Sequence, residues 1–156
     1  MKKIITVLLL FAMLFVLFAC DGADGGKSYE FKSGGVTLKI GDADSVIDAL
    51  GKPIATDESA SCGGIPGVDV VYVFSGFKVY TTPAKSGNVI NKIELTDDSV
   101  KTPEGIAAGA TKDAVIKAMG TPTSETASSL VYAGKGMKLT FIIRNDCVTS
   151  IQYIAE

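Results

Sequence analysis

The sequence predicts an α+β fold: two tandem repeats of one short helix plus about three antiparallel strands, the helices packed on one face of the antiparallel sheet. Three observations predict it. Val46-Ile47-Asp48-Ala49-Leu50-Gly51-Lys52-Pro53 matches Val115-Ile116-Lys117-Ala118-Met119-Gly120-Thr121-Pro122 at a spacing of 69 residues. Three β-rich runs follow each match, and the joints between them are short and rich in Gly, Asn and Asp, which makes neighbouring strands antiparallel. Helices of about two turns do not hold in water by themselves, so both must be laid against sheet.

The first element is a leader. Lys2 and Lys3 precede the run Ile4 to Ala19, in which only Thr6 is not apolar. A positive start followed by a hydrophobic stretch of this length is the layout of a secretory signal, and it is short of the roughly 20 apolar residues a spanning helix wants. Leu17-Phe18-Ala19-Cys20 resembles a bacterial lipobox, whose cysteine is diacylglycerated and becomes the mature N-terminus. Phe18 is bulkier than the motif usually carries, while ordinary cleavage after Ala19 would put an unsuitable Leu17 three residues before the cut. The expectation is a signal peptide over 1–19 and a lipidated Cys20, with palmitate among its acyl chains. The chain would then be held at the cell membrane, lipid-anchored, on its extracytoplasmic side. Residues 20–28 form a flexible tether whose stretch from Asp21 to Ser28 spans at most roughly 28 Å.

The first repeat runs over 29–100 and the second over 101–156. Val36 to Ile40 reads as a strand ahead of the first helix. Asp44 and Thr111 are suited to cap the two helices, and Gly51 and Gly120 to end them, each with a proline two residues on. Val46, Ile47, Ala49 and Leu50, like Val115, Ile116, Ala118 and Met119, give each helix one apolar face. The strands are Val68 to Phe74, Phe77 to Thr81 and Val89 to Thr96, then Ser129 to Ala133, Met137 to Arg144 and Val148 to Ile154. Asp97 to Gly105 links the copies.

Composition restricts the chemistry. Histidine is absent, which removes Ser-His-Asp and Cys-His catalysis and nearly all zinc enzyme sites. Beyond Lys2 and Lys3 the chain carries 13 basic against 17 acidic residues, with Arg144 its single arginine, so no nucleic-acid partner is expected. Asp42, Asp44 and Asp48 lack the glycine and the final glutamate of a calcium loop, and suit helix capping and first-turn dipole complementarity better; no metal and no cofactor is expected. Asp97-Asp98 reads as a solvated turn. With Cys20 lipidated, Cys62 and Cys147 remain with one pairing open to them, the default for an exported protein; two unpaired thiols are the alternative.

Gly-x-Pro after each short helix, a tyrosine-bearing hairpin strand (Tyr80) and a closing Val-x-x-Ile strand (Val148 to Ile151) resemble the SmpA/OmlA and β-lactamase-inhibitor-like bacterial lipoproteins. The resemblance covers roughly Val36 to Ala155. It implies a curved antiparallel sheet with helices on one side and a protein partner on the other. One departure is that those inhibitors carry a disulfide within each copy, where this chain has one cysteine per copy.

Period-2 alternation sorts the strands into two faces. Phe77, Val79, Met137, Leu139, Phe141 and Ile143 fall on the face expected to be helix-covered. Lys78, Tyr80, Lys92, Glu94, Lys138, Thr140, Ile142 and Gln152 fall on the other. A sheet face open to water has this composition, and the resemblance adds the expectation that it binds a protein, with Tyr80 as the aromatic anchor. The function expected is a membrane-anchored, non-enzymatic protein-binding or envelope scaffold module. The alternative is a proteinaceous inhibitor of a secreted hydrolase that inserts a loop such as Ser61 to Gly67.

Overall fold

Alternating apolar side chains along successive strands, joined by turns that only glycine or a short polar residue can make, fold into one large sheet. The computed structural model describes residues 26–156; the signal segment and Cys20 lie outside the described residues. The described residues form ten strands: β1 (Phe31–Ser33), β2 (Val36–Leu38), β3 (Ala55–Ala60), β4 (Val68–Phe74), β5 (Phe77–Ala84), β6 (Gly87–Leu95), β7 (Ser124–Glu125), β8 (Ser129–Gly134), β9 (Met137–Arg144) and β10 (Cys147–Ala155). A 3₁₀ segment, Asp44–Leu50, precedes β3, and an α-helix, α1 (Lys112–Met119), precedes β7.

β1 and β2 form a hairpin, and the other eight strands form one antiparallel sheet in the order β3-β4-β5-β6-β10-β9-β8-β7. The first four strands therefore run in chain order, the last four in reverse, and the groups meet where β6 pairs with β10. Corresponding backbone bonds tie each helical segment to the closing strand of its own group. Gly41 N–H donates to Ile90 O and Gly109 N–H to Val148 O, both at 2.8 Å; Ile90 N–H returns to Asp42 O and Val148 N–H to Ala110 O.

The expected α+β class is corrected. The described residues are mostly β, 48% strand and 11% helix. Each group has four strands where about three were expected, because β3 and β7 carry few apolar residues and gave no alternation signal. Each helical segment sends only one fully buried residue into the core, Ile47 or Val115. Much of the covering is instead done by the β1–β2 hairpin, through Phe31 and Leu38, and by Ile106 of the connection between groups. Phe31 sits over the junction, 4.9 Å from the Phe77 ring on β5 and 6.1 Å from the Tyr153 ring on β10. Beneath lie Val79, Ile93, Leu95, Leu139, Phe141 and Ile151, all fully buried. Of the expected linker Asp97 to Gly105, Thr102 is buried and Val100 packs against the core, so part of it belongs to the core's cover.

The two helical segments differ at their starts. Thr111 caps α1 by accepting the Ala114 N–H at 3.2 Å, as expected. Asp44 does not cap its segment: Ala43 holds that position and offers no side-chain acceptor, and the turn closes with i→i−3 bonds such as Gly51 N–H to Asp48 O. The turn at Asn145-Asp146 has φ of 49° and 62°, the conformation a two-residue hairpin of this hand requires.

The Val-x-x-Ile spacing has its own explanation. Register slips by one residue at Asn91 in β6 and at Thr149 in β10. Each is a β-bulge, so Ile90 and Ile93, or Val148 and Ile151, return to the same face after three residues where a regular strand would need two.

Candidate functional site

The covered face being full, the chemistry on offer lies on the opposite face, and strand register places its residues in rows. Lys78 of β5, Glu94 of β6, Gln152 of β10 and Thr140 of β9 lie side by side across four adjacent strands. The next row holds Tyr80, Lys92, Ile154 and Lys138, and Ile142 stands opposite Ser150 in a third. All eight residues expected on this face are brought together. Ser150 and Ile154, not singled out from the sequence, complete the patch. So do Val71 and Val73, which pair with Tyr80 and Lys78. A signal for these two existed: Val68 to Phe74 is almost continuously apolar, the pattern of a strand with partners on both faces.

The centre of the face is a network around the Glu94 carboxylate. The Tyr80 hydroxyl donates to Oε2 at 2.8 Å, Lys92 Nζ sits 3.1 Å from the same oxygen, and Gln152 Nε2 and the Ser150 hydroxyl donate to Oε1 at 3.0 and 3.2 Å. Lys92 Nζ also lies 4.6 Å from the centre of the Tyr80 ring, a cation–π contact. Burial works to raise the Glu94 pKa, but the bonds from Tyr80, Lys92 and Gln152 and the Lys92 charge outweigh it and hold the carboxyl below the usual range. Burial first, then the bond and charge of Glu94, push the Tyr80 phenol up to about 12. The carboxylate stays charged and the phenol neutral across ordinary pH, with each donor bound. Such a network orients Tyr80 but leaves Glu94 poorly placed for proton transfer. Beside it, the Thr140 hydroxyl is buried without a hydrogen-bond partner.

Two further acids have structural roles. Asp42 accepts from the Lys39 N–H at 2.9 Å, and Asp97 from the Ser99 N–H at 2.9 Å, both as turn-formers.

Cys62 and Cys147, the pair expected to be able to bridge, are free thiols. Topology is the reason. Cys62 lies in the loop between β3 and β4, at the end of the sheet where Asn88 Nδ2 bonds Val68 O. Cys147 begins β10, which runs antiparallel to β6, so it lies at the opposite end. From β4 to β10 is three strand spacings, about 14 Å, where a disulfide needs Cα atoms within roughly 7 Å.

No family model and no curated protein matches the chain. Among solved structures it is similar to a DUF4309 family protein (YjgB) from Bacillus subtilis. The TM-score is 0.45 and the identity 16%, over 80% of this chain and 84% of that one. The expected kinship with SmpA/OmlA and β-lactamase-inhibitor-like lipoproteins is corrected accordingly. Neither a family model nor a curated protein of that kind matches, and the residues that suggested it follow from local geometry. Gly51 and Gly120 end their helical segments at φ of 82° and 85°, and Val-x-x-Ile marks a bulge.

Proposed function

We propose that the protein is a membrane-anchored, extracytoplasmic, non-enzymatic module that binds a protein partner through the open face of its eight-stranded sheet. The observation that carries this reading is the composition of that face. A tyrosine pinned in place by Glu94 and Lys92 stands among Val71, Val73, Ile142 and Ile154, with Lys78 and Lys138 nearby. An oriented aromatic surrounded by aliphatic side chains and mobile charges is the composition of a binding hot spot with its rim. The anchor would be the diacylglycerated Cys20, with the Asp21 to Ser28 stretch as tether.

The test is photo-crosslinking from position 152 in intact cells, followed by capture from native membranes. Tyr80→Ala and Lys138→Glu should each abolish the crosslinked species while leaving the protein folded and membrane-bound. Crosslinking that is indifferent to both overturns the reading. Palmitate labelling lost in Cys20→Ser tests the anchor separately. The Ser61 to Gly67 loop supports one other reading, a hydrolase inhibitor, because it presents Ile65 38% exposed beside the sheet edge. Partner capture lost on replacing that loop, with Tyr80→Ala silent, favours it.

A further inference from the structure

The two edges of the sheet are unequal. One edge strand, β7, is two residues long, and its Glu125 is held by Lys112 Nζ at 2.6 Å. The other, β3, pairs with β4 over six residues without a break in register, and every one of its residues is exposed. Natural edges are usually guarded by lysine, proline, a bulge or a covering segment. β3, Ala-Thr-Asp-Glu-Ser-Ala, has none of the first three, and no other described segment pairs with its outer side. The charge it does carry, Asp57 and Glu58, is all negative and points to opposite sides of the sheet, since Asp57 pairs with Val71 and Glu58 with Val70. Ile54, at the start of the strand, is 72% exposed, the most exposed large apolar residue described.

We infer that β3 is an augmentation site for an extended, cationic strand of a partner polypeptide. The incoming strand runs antiparallel to β3, sets two adjacent basic residues against Glu58 and Asp57, and places an apolar residue against Ile54 three positions further on. Backbone hydrogen bonds to the open edge supply the affinity, and alternate side chains supply the selectivity. A second copy of this chain is disfavoured as the occupant. Central antiparallel registers of β3 against itself set Asp57 opposite Glu58 or opposite its own equivalent, and like charges directly opposed across strands repel. The same acids that select a basic strand thus keep this edge from pairing with itself. The site is the backbone edge of the sheet and meets the open face through Asp57, and either reading can fail without the other.

The experiment uses the full chain in mild detergent and the fluorescent heptapeptide TKKTTVT, read by anisotropy and by amide hydrogen exchange. The peptide should bind, slow exchange along 55–60, and lose about tenfold in affinity when changed to TEETTVT or when the protein carries Asp57→Lys and Glu58→Lys. Pairing that doubly substituted protein with TEETTVT should restore binding, which a misfolded variant could not do. A peptide N-methylated at alternate residues should not bind. The inference is overturned if TKKTTVT does not bind, if binding ignores either charge reversal, if protection appears away from β3, or if the unsubstituted chain dimerises through this edge.

Discussion

Glu94 shows how one half-buried carboxylate organises a surface. It is surrounded by four donors from three strands, and truncating it strands Tyr80 and Gln152 in partly desolvated positions. Glu94→Ala should therefore cost about 1.5–3 kcal/mol, measured by denaturant unfolding. The pH dependence has two signs. The Glu94 pKa is lower folded than unfolded, so its contribution is complete above the ordinary carboxylate value and is lost as pH falls through the depressed one. The Tyr80 pKa is higher folded, so its contribution is complete below the ordinary phenol value and is lost as pH rises through about 12. Ultraviolet titration should assign the midpoint at about 12 to Tyr80 by its absence in Tyr80→Phe, distinct from that of the more deeply buried Tyr153. Glu94→Gln should bring that midpoint down, though not fully, because burial is the larger cause.

The two helical segments descend from one sequence pattern and yet differ in kind. Thr111 offers a hydroxyl to the Ala114 N–H, and α1 continues with i→i−4 bonds to Gly120. Ala43 has nothing to offer, and its segment stays a 3₁₀ coil. Thr111→Ala should then destabilise the protein by about 1 kcal/mol, whereas Asp44→Ala, at a position that caps nothing, should shift the thermal midpoint far less. The strands show the opposite behaviour: β2, β4, β5, β6, β8, β9 and β10 lie within a few residues of where the sequence predicts them. β3 and β7 were illegible because an edge strand exposed on both sides has no reason to alternate, and β1 because three residues are too few to show a period.

The two groups of four strands form a single sheet because β6 and β10 share backbone bonds and a common cover. Phe31 rests on both Phe77 and Tyr153, so neither group of four strands closes its core alone. A chain ending at residue 110 would expose Ile93, Leu95 and the whole pairing edge of β6. It should show no cooperative melt and should aggregate, while the full chain unfolds in one transition followed by circular dichroism. The separated thiols fit the same picture: without a covalent staple between the groups, the junction is held by packing and by the β6–β10 ladder.

What the sequence determined by itself is local and repetitive: the paired helical turns, their terminal glycines, seven strands with their turns, and the two sets of residues that alternate between faces. These follow from side-chain period and backbone conformational preference, which act over a few residues. The eight expected face residues, Lys78 to Gln152, were legible for that reason. Tertiary structure decided everything that depends on adjacency between distant segments. It set which strands are neighbours, turned the expected helical cover into a hairpin-and-loop cover, and put Cys62 and Cys147 at opposite ends. It also gathered Tyr80, Lys92, Ser150 and Gln152 around one carboxylate. Hydrogen bonds and ion pairs of that kind act over a few ångströms in space, and no period along the chain records which residues the sheet will bring within reach.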